Sequence, residues 1–399
     1  MRSRSRRWGF ALVTLALGLV LAVLVAELVL RAAGIEVPQF YDYDAERGVR
    51  HHPGAQGLYR GDGQSLVQIN STGLRSPEIT LAKAAGTLRI AVLGDSFAEA
   101  FGVPQEQAFW SVLQQRLASC PAAAGRRVEV VNFGVSGYGT STEWITLQRV
   151  GWRYEPDVVL LAFFSGNDLR NNVPELENKP YRLYHALHDG KLVEFKPASA
   201  LAAAVHGAGT RLWRGAAQVS RVVQVINQAR RRWLEAQLQA DGREASRTAA
   251  AGVEAGIDTT VLAPPREVVW QDAWRITEAV LGALADDVKA HGSQLHIATV
   301  SNAIQVHPDA RVRQAFMQRL GVADLDYAER RIGAFARERG VPLVELAPPL
   351  RAWAESQQRC VHGFDNAKPC FGHWNADGHR VVGEVLAQDL CARLPAARR

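Results

Sequence analysis

The segment Arg89–Leu93 is short and apolar after its first residue, and it runs directly into Gly94-Asp95-Ser96-Phe97. A helical pattern begins at Gln107. Such a strand suits the buried middle of a sheet, and open α/β sheets carry their chemistry at the carboxyl ends of their strands. Ser96 is thus placed where a nucleophile would stand. Gly-Asp-Ser also makes an ordinary turn, so the motif needs support from elsewhere in the chain.

Alternation supplies part of that support. Strand Arg89–Leu93 precedes helix Gln107–Ala118, strand Val128–Asn132 precedes helix Thr142–Arg153, and strand Asp157–Phe164 follows. Later come helix Glu267–Ala290, strand Gln294–Val300, helix Tyr327–Arg339, strand Pro342–Leu346 and a final helix from Ala376 to Leu390. This order predicts an α/β fold with a mostly parallel sheet covered on both faces. Residues 36–86, rich in Gly, Pro, Tyr and Arg, read as a lead-in of short strands and turns. The main domain then covers 87–399, with an insertion at about 175–265 where the rhythm breaks. Within it Tyr181–Phe195 reads as a hairpin around Asp189-Gly190, Ala198–Ala240 as helical, and 241–262 as loose and polar. An insertion after the third core strand lies at the sheet's carboxyl edge, as a lid or substrate wall or as a passive excursion.

The chain opens with Arg2, Arg4, Arg6 and Arg7, and then an uncharged apolar run begins at Trp8. Counted to Leu30, with Glu27 inside it, the run makes roughly 35 Å of helix, enough to cross a bilayer core of about 30 Å. A cleavable signal peptide has a shorter apolar region and a small-x-small cleavage site, so residues 1–31 read as a retained single-pass anchor. The leading arginines place the amino terminus in the cytoplasm, and the remainder in the periplasm or outside the cell. Four of the +6 formal charges belong to this tip, which leaves the rest close to neutral. No basic stretch is interleaved with aromatics as a nucleic-acid groove requires, so no nucleic-acid partner is expected. Arg230-Arg231-Arg232 reads as a solvated helix face, with contact to anionic lipid as the second reading. Cys120, Cys360, Cys370 and Cys391 suit an oxidising compartment. The short loop between Cys360 and Cys370 suggests that pairing, which leaves Cys120 with Cys391, although four cysteines allow three connectivities. No metal-ligand spacing appears, and no cofactor is expected.

A serine hydroxyl needs a base, and its tetrahedral intermediate needs donors for the oxyanion. After the second strand comes Asn132-Phe133-Gly134-Val135-Ser136-Gly137-Tyr138-Gly139-Thr140, whose glycines allow a tight turn and an exposed N–H. After the third comes Ser165-Gly166-Asn167-Asp168, which offers the Asn167 amide. The base is sought in Cys370-Phe371-Gly372-His373-Trp374-Asn375-Ala376-Asp377-Gly378-His379. Asn375 is a good N-cap, so His379 falls inside the following helix and His373 on the loop before it. The loop histidine can reach across the sheet edge to Ser96, and it is preferred. His51, His52, His185 and His362 read as surface or core histidines. Phe97, Trp110, Tyr138, Trp144 and Trp152 lie near the motifs, and packing is their first reading, with sugar stacking for some.

Four of these blocks, in this order, resemble the SGNH (GDSL-type) hydrolase superfamily: Gly94-Asp95-Ser96-Phe97, Gly134-Val135-Ser136-Gly137, Gly166-Asn167-Asp168 and Gly372-His373-Trp374-Asn375. The resemblance covers residues 88–170 and 370–390. It implies a three-layer α/β/α sandwich, Ser96 as nucleophile and His373 as base. It also implies an oxyanion hole from the N–H groups of Ser96 and Gly137 with the Asn167 amide. One departure stands out: the family's aspartate three residues before the histidine is Cys370 here. Asp365 or another acid, or a backbone carbonyl, would have to orient His373, or activity would be weak; Asp377 ranks lower because it lies on the helix. The expectation is an extracytoplasmic serine esterase for O-acyl esters, O-acetyl first, with envelope or exported polysaccharide suggested by similar anchored proteins. Its partners would be an acylated carbohydrate or other small ester, and the inner membrane. An O-acyltransferase, or a non-catalytic polysaccharide-binding or assembly protein, is the alternative. A lipase is weaker, since no exposed apolar helix is obvious in the sequence.

Overall fold

The computed structural model describes residues 2–177, 179, 181–198, 207–230, 233 and 259–394. The chain divides into two compact units, Met1–Gln39 with His206–Ala250, and Phe40–Val205 with Ala251–Arg399.

The second unit begins with two hairpins, β1 (Tyr41–Asp44) with β2 (Gly48–His51), and β3 (Gln56–Gly61) with β4 (Gly63–Gln68). Then come β5 (Thr87–Leu93), β6 (Arg127–Asn132) and β7 (Val158–Phe163). The hairpin β8 (Tyr184–His188) and β9 (Lys191–Phe195) follows, and β10 (Gln294–Thr299) and β11 (Leu343–Glu345) complete the set. The central sheet has the order β11-β10-β7-β5-β6, with every pairing parallel. All of β5 and β7 is buried, as strands covered on both faces must be.

Alternation along β5 sends side chains to two separate cores. Leu88, Ile90 and Val92 pack with Leu113, Leu117, Leu350, Val382 and Leu386, under helices Phe109–Ala118, Ala347–Gln357 and Ala376–Arg393. Ala91 and Leu93 face Leu147, Trp274, Leu281 and Ile332, under helices Thr140–Arg149, Val268–Ala290 and Tyr327–Arg339. The architecture is the expected three-layer α/β/α sandwich. Both disulfides pair as expected, Cys120 with Cys391 and Cys360 with Cys370.

Differences from the sequence reading have local causes. The helix expected over 142–153 ends at Arg149 and gives way to a 3-10 turn, Gly151–Tyr154, just ahead of Pro156. Helix Ala347–Gln357 was not anticipated because Pro348-Pro349 reads as a breaker, yet proline is tolerated in a helix's first turn. Helix Ala310–Leu320 was also missed, although Asp309 caps its start by accepting from Arg311 N, and Gly321 ends it in the left-handed region. The hairpin expected around Asp189-Gly190 forms as β8 and β9. In the stretch expected to be helical, Ala208–Val219 and 221–230 are helices. Arg231, Arg232 and most of 241–262 lie outside the described residues, and Thr259–Leu262 is a 3-10 turn.

The first unit holds helix Arg2–Ala32, in which Trp8–Ala32 is long and apolar enough to cross a membrane.

Candidate active site

β5 stops at Leu93, and the chain turns into a short helix, Ser96–Glu99. The Asp95 carboxylate accepts from Phe97 N at 2.9 Å and so caps that helix. Ser96 therefore stands at the first turn, partly exposed, and its backbone N–H has no acceptor among the described residues. His373 occupies the loop before the last helix, whose N-cap Asn375 accepts from Gly378 N. Its Nε2 lies 2.8 Å from Ser96 Oγ. His379 lies inside that helix as expected, buried, taking Phe109 N on its Nδ1.

The group that orients His373 comes from an unexpected place. Asp62 Oδ2 sits 2.9 Å from His373 Nδ1 and accepts from His373 N at 3.2 Å. Asp62 is the tip of the β3–β4 hairpin, far from His373 in sequence. Of the readings weighed from the sequence, another acid is the one that holds, and neither named candidate takes this place: Asp365 is exposed, and Asp377 pairs with Arg359 at 2.8 Å. The available signal was Gly61-Asp62-Gly63, an aspartate flanked by glycines at a hairpin tip. Burial raises the Asp62 carboxyl, but the hydrogen bonds and positive charge of His373 outweigh it and hold the group below its ordinary value. Gly372 adopts φ +77, and a β-carbon there would collide with the Asp62 carboxylate. Asn366 completes the arrangement: its Oδ1 accepts from Gly63 N, and its Nδ2 donates to Gly61 O and Gly63 O.

The two other turns meet the nucleophile turn through buried carboxylates. Asn167 Nδ2 donates to Asp95 Oδ2 at 2.7 Å, which uses one of its two hydrogens. Burial pushes the Asp95 carboxyl up to about 6, against the lowering effect of Phe97 N and Asn167. Glu99 accepts from Ser136 N at 3.1 Å while also holding His51 Nε2 at 2.7 Å and Tyr41 OH at 2.9 Å. Arg75, fully buried, donates to Glu99 O and Val103 O. The sequence reading missed this support, since Glu99, Tyr41 and Arg75 carry no motif. Gly137 has φ +74; its carbonyl accepts from Asn171 and Arg182, and its N–H has no acceptor among the described residues. The N–H groups of Ser96 and Gly137 and the second Asn167 hydrogen thus have no acceptor among the described residues.

The aromatic side chains pack. Phe97, Trp110 and Tyr138 are buried, Trp144 Nε1 donates to Asp287, and Trp152 stacks on His291. His51, His185 and His362 are core histidines; His362 bridges Gly372 O and Ser301 Oγ. Chemically, the line Asp62–His373–Ser96 can move a proton off a hydroxyl and hold the resulting imidazolium.

The sequence pattern of a family described as "GDSL-like Lipase/Acylhydrolase family" matches residues 92–381. No curated protein matches the chain. Among solved structures, an acetyl xylan esterase is 13% identical, with 75% of this chain and 98% of that one covered and a TM-score of 0.38. A catalytic mutant of an acetylxylan esterase from Geobacillus stearothermophilus is 11% identical, covering 79% and 100%, with TM-score 0.38. An alpha/beta hydrolase from the metagenome of Lake Arreo, Spain, is 15% identical, covering 78% and 99%, with TM-score 0.36.

Proposed function

The chain belongs to the GDSL-like lipase/acylhydrolase family and is a carboxylic ester hydrolase, and we propose that Ser96, His373 and Asp62 are its nucleophile, base and orienting acid. The observation that carries this assignment is the unbroken line from Asp62 Oδ2 through His373 to Ser96 Oγ, at 2.9 and 2.8 Å. His373 Nε2 takes the proton from Ser96 Oγ as that oxygen attacks the ester carbonyl carbon. Asp62 holds the tautomer with Nδ1 protonated and then faces the imidazolium. The N–H groups of Ser96 and Gly137, with the Asn167 amide, receive the oxyanion, each donor contributing on the order of 100- to 1000-fold in rate. Collapse of the intermediate breaks the ester bond, and the leaving alcohol takes its proton from His373. Water, deprotonated by the same imidazole, then releases the acid from Ser96.

In this reading Trp8–Ala32 is a retained anchor and the catalytic domain lies outside the cytoplasm; the disulfides Cys120–Cys391 and Cys360–Cys370 support that compartment. The substrate is an O-acyl ester, O-acetyl first, on an envelope or exported polysaccharide, the ester class that a tethered extracytoplasmic domain meets. The non-catalytic alternative rested on Cys370, and Asp62 removes its motive.

The test uses the full chain in detergent, with p-nitrophenyl acetate and a fluorophosphonate probe, beside Ser96→Ala. Turnover and labelling by the parent, with turnover reduced about 10⁴-fold or more and labelling lost in the variant, is the expected outcome. A folded parent that neither labels nor turns over overturns the assignment. Labelling without hydrolysis, relieved by an added sugar acceptor, makes the protein an acyltransferase.

A further inference from the structure

The apolar face of helix Ala208–Val219 points outward. Gly209, Leu212, Trp213, Ala216 and Val219 fall at helical spacing on one stripe, with Leu212 76% and Val219 69% exposed. Arg211 and Arg214 lie off that stripe, and Ala217, on another side, is buried. A helix on the surface of a water-soluble domain presents the reverse arrangement. Trp213 and Val219 are joined by Ile226 and Trp233, both exposed, in the segment that follows. This is the exposed apolar helix that the sequence did not reveal.

Its surroundings bear on what covers it. The turn after Val219 is bound to the outer end of helix Arg2–Ala32: Glu27 accepts from Ser220 Oγ, Arg221 N and Val222 N, and Arg31 donates to Val219 O. Val37 N donates to Gln224 Oε1 a little further on. The 25 residues Trp8–Ala32 make about 37 Å of helix, roughly 7 Å more than a hydrocarbon core. The excess amounts to about five residues, so with Trp8 at one boundary the other falls near Glu27. Glu27 thus meets three donors of that turn, and Arg31 Nε as a fourth, at the depth where a charged residue on a spanning helix can be satisfied.

Given the anchor reading above, we propose that helix Ala208–Val219 lies in the plane of the membrane at the non-cytoplasmic end of the spanning helix, its apolar stripe among the acyl chains. The partner is the lipid surface itself. Trp213 and Trp233 have the amphipathic ring suited to the headgroup boundary, and Arg211 and Arg214 lie on the face opposite the stripe, as basic residues do on interfacial helices.

The test uses the full chain in phosphatidylcholine nanodiscs. No free cysteine exists, so an introduced one is the sole thiol for an environment-sensitive NBD label. Leu212→Cys, Val219→Cys, Arg211→Cys and, as a control inside the spanning helix, Leu21→Cys are labelled and transferred to lipid brominated on its acyl chains. The proposal expects blue-shifted emission and loss of most intensity at 212, 219 and 21, with far less at 211. Unquenched labels at 212 and 219 beside a quenched label at 21 overturn the interfacial helix and leave the anchor standing. Equal quenching at 211 and 212 also overturns it, since the stripe would then have no orientation. An unquenched label at 21 overturns the anchor as well.

Discussion

A histidine that must accept a proton on Nε2 needs an acceptor at Nδ1, and geometry alone decides which residue supplies it. Cys370, at the position where the family's spacing places an aspartate, is tied to Cys360 and cannot serve. Asp62 reaches the same nitrogen from a hairpin tip and lies only 28% exposed at its side chain, so its charge acts at close range. Replacing Asp62 with Asn keeps the shape but offers an amide that can donate to Nδ1 and favour the wrong tautomer. We expect Asp62→Asn to lower kcat by about 10³- to 10⁴-fold with KM little changed, while Asp365→Asn and Asp377→Asn stay near the parent. Steady-state kinetics on an aryl acetate checks this, and equal losses in all three variants would refute the assignment. Ser96 and His373 were legible because each sits in a motif whose neighbours announce a strand end or a helix cap. Asp62 was not, because sequence proximity to His373 was the only guide to its partner, and the partner comes from the other end of the chain.

One loop and one hairpin share the task of fixing that carboxylate. The Cys360–Cys370 disulfide clips a loop of sequence separation 10, and this loop carries Asn366, which holds both glycines flanking Asp62. The Cys120–Cys391 bond, of separation 271, instead joins the end of helix Phe109–Ala118 to helix Ala376–Arg393, where no site residue lies. The two bonds should therefore fail differently. Asn366→Ala, and the paired Cys360→Ser and Cys370→Ser changes, should lower kcat about 10- to 100-fold through misplacement of Asp62. The paired Cys120→Ser and Cys391→Ser changes should cost about 4–5 kcal/mol of stability, because the released loop is long, and leave kcat of the folded enzyme intact. Kinetics beside urea unfolding separates the two; a kcat loss in the Cys120–Cys391 pair alone would contradict this division. Elements with strong local signals were readable in the same way: β7 as a continuous apolar run, β5 from its apolar stretch after Arg89, and β8–β9 from Asp189-Gly190. Helix Ala347–Gln357 was hidden by prolines that only its first turn could accommodate, and Asn366 by a function that exists only across two distant loops.

Across the whole fold, stability against pH depends on ionisable groups that the interior buries without a counter-charge, Glu143 and Asp168 among them. Glu143 is 1% exposed, and neither of its carboxylate oxygens finds a partner among the described residues. Burial, and then the charge of Asp95, drives its carboxyl well above the ordinary value, and Asp168 is raised by burial and by the charges of Glu143 and Asp95. A group raised in the folded state binds more protons there than in the unfolded chain, so stability falls as pH climbs from the ordinary glutamate value toward the folded one. His362 and His379 act with the opposite slope: burial lowers them to about 4 and about 3, so acid favours the unfolded chain below the ordinary histidine value near 6.5. Glu143→Gln removes that residue's own share of the first limb and leaves the second. Its advantage over the parent should thus be absent at pH 4 and grow toward neutrality by up to about 1.4 kcal/mol per pH unit while the folded carboxyl stays protonated. Urea denaturation at a series of pH values measures the difference. Two parallel stability curves would mean that Glu143 titrates alike in both states, and that the buried carboxyls are paired in some way the fold does not display. Curves that meet in acid and diverge toward neutral pH would show that the buried Glu143 carboxyl is kept uncharged by protonation.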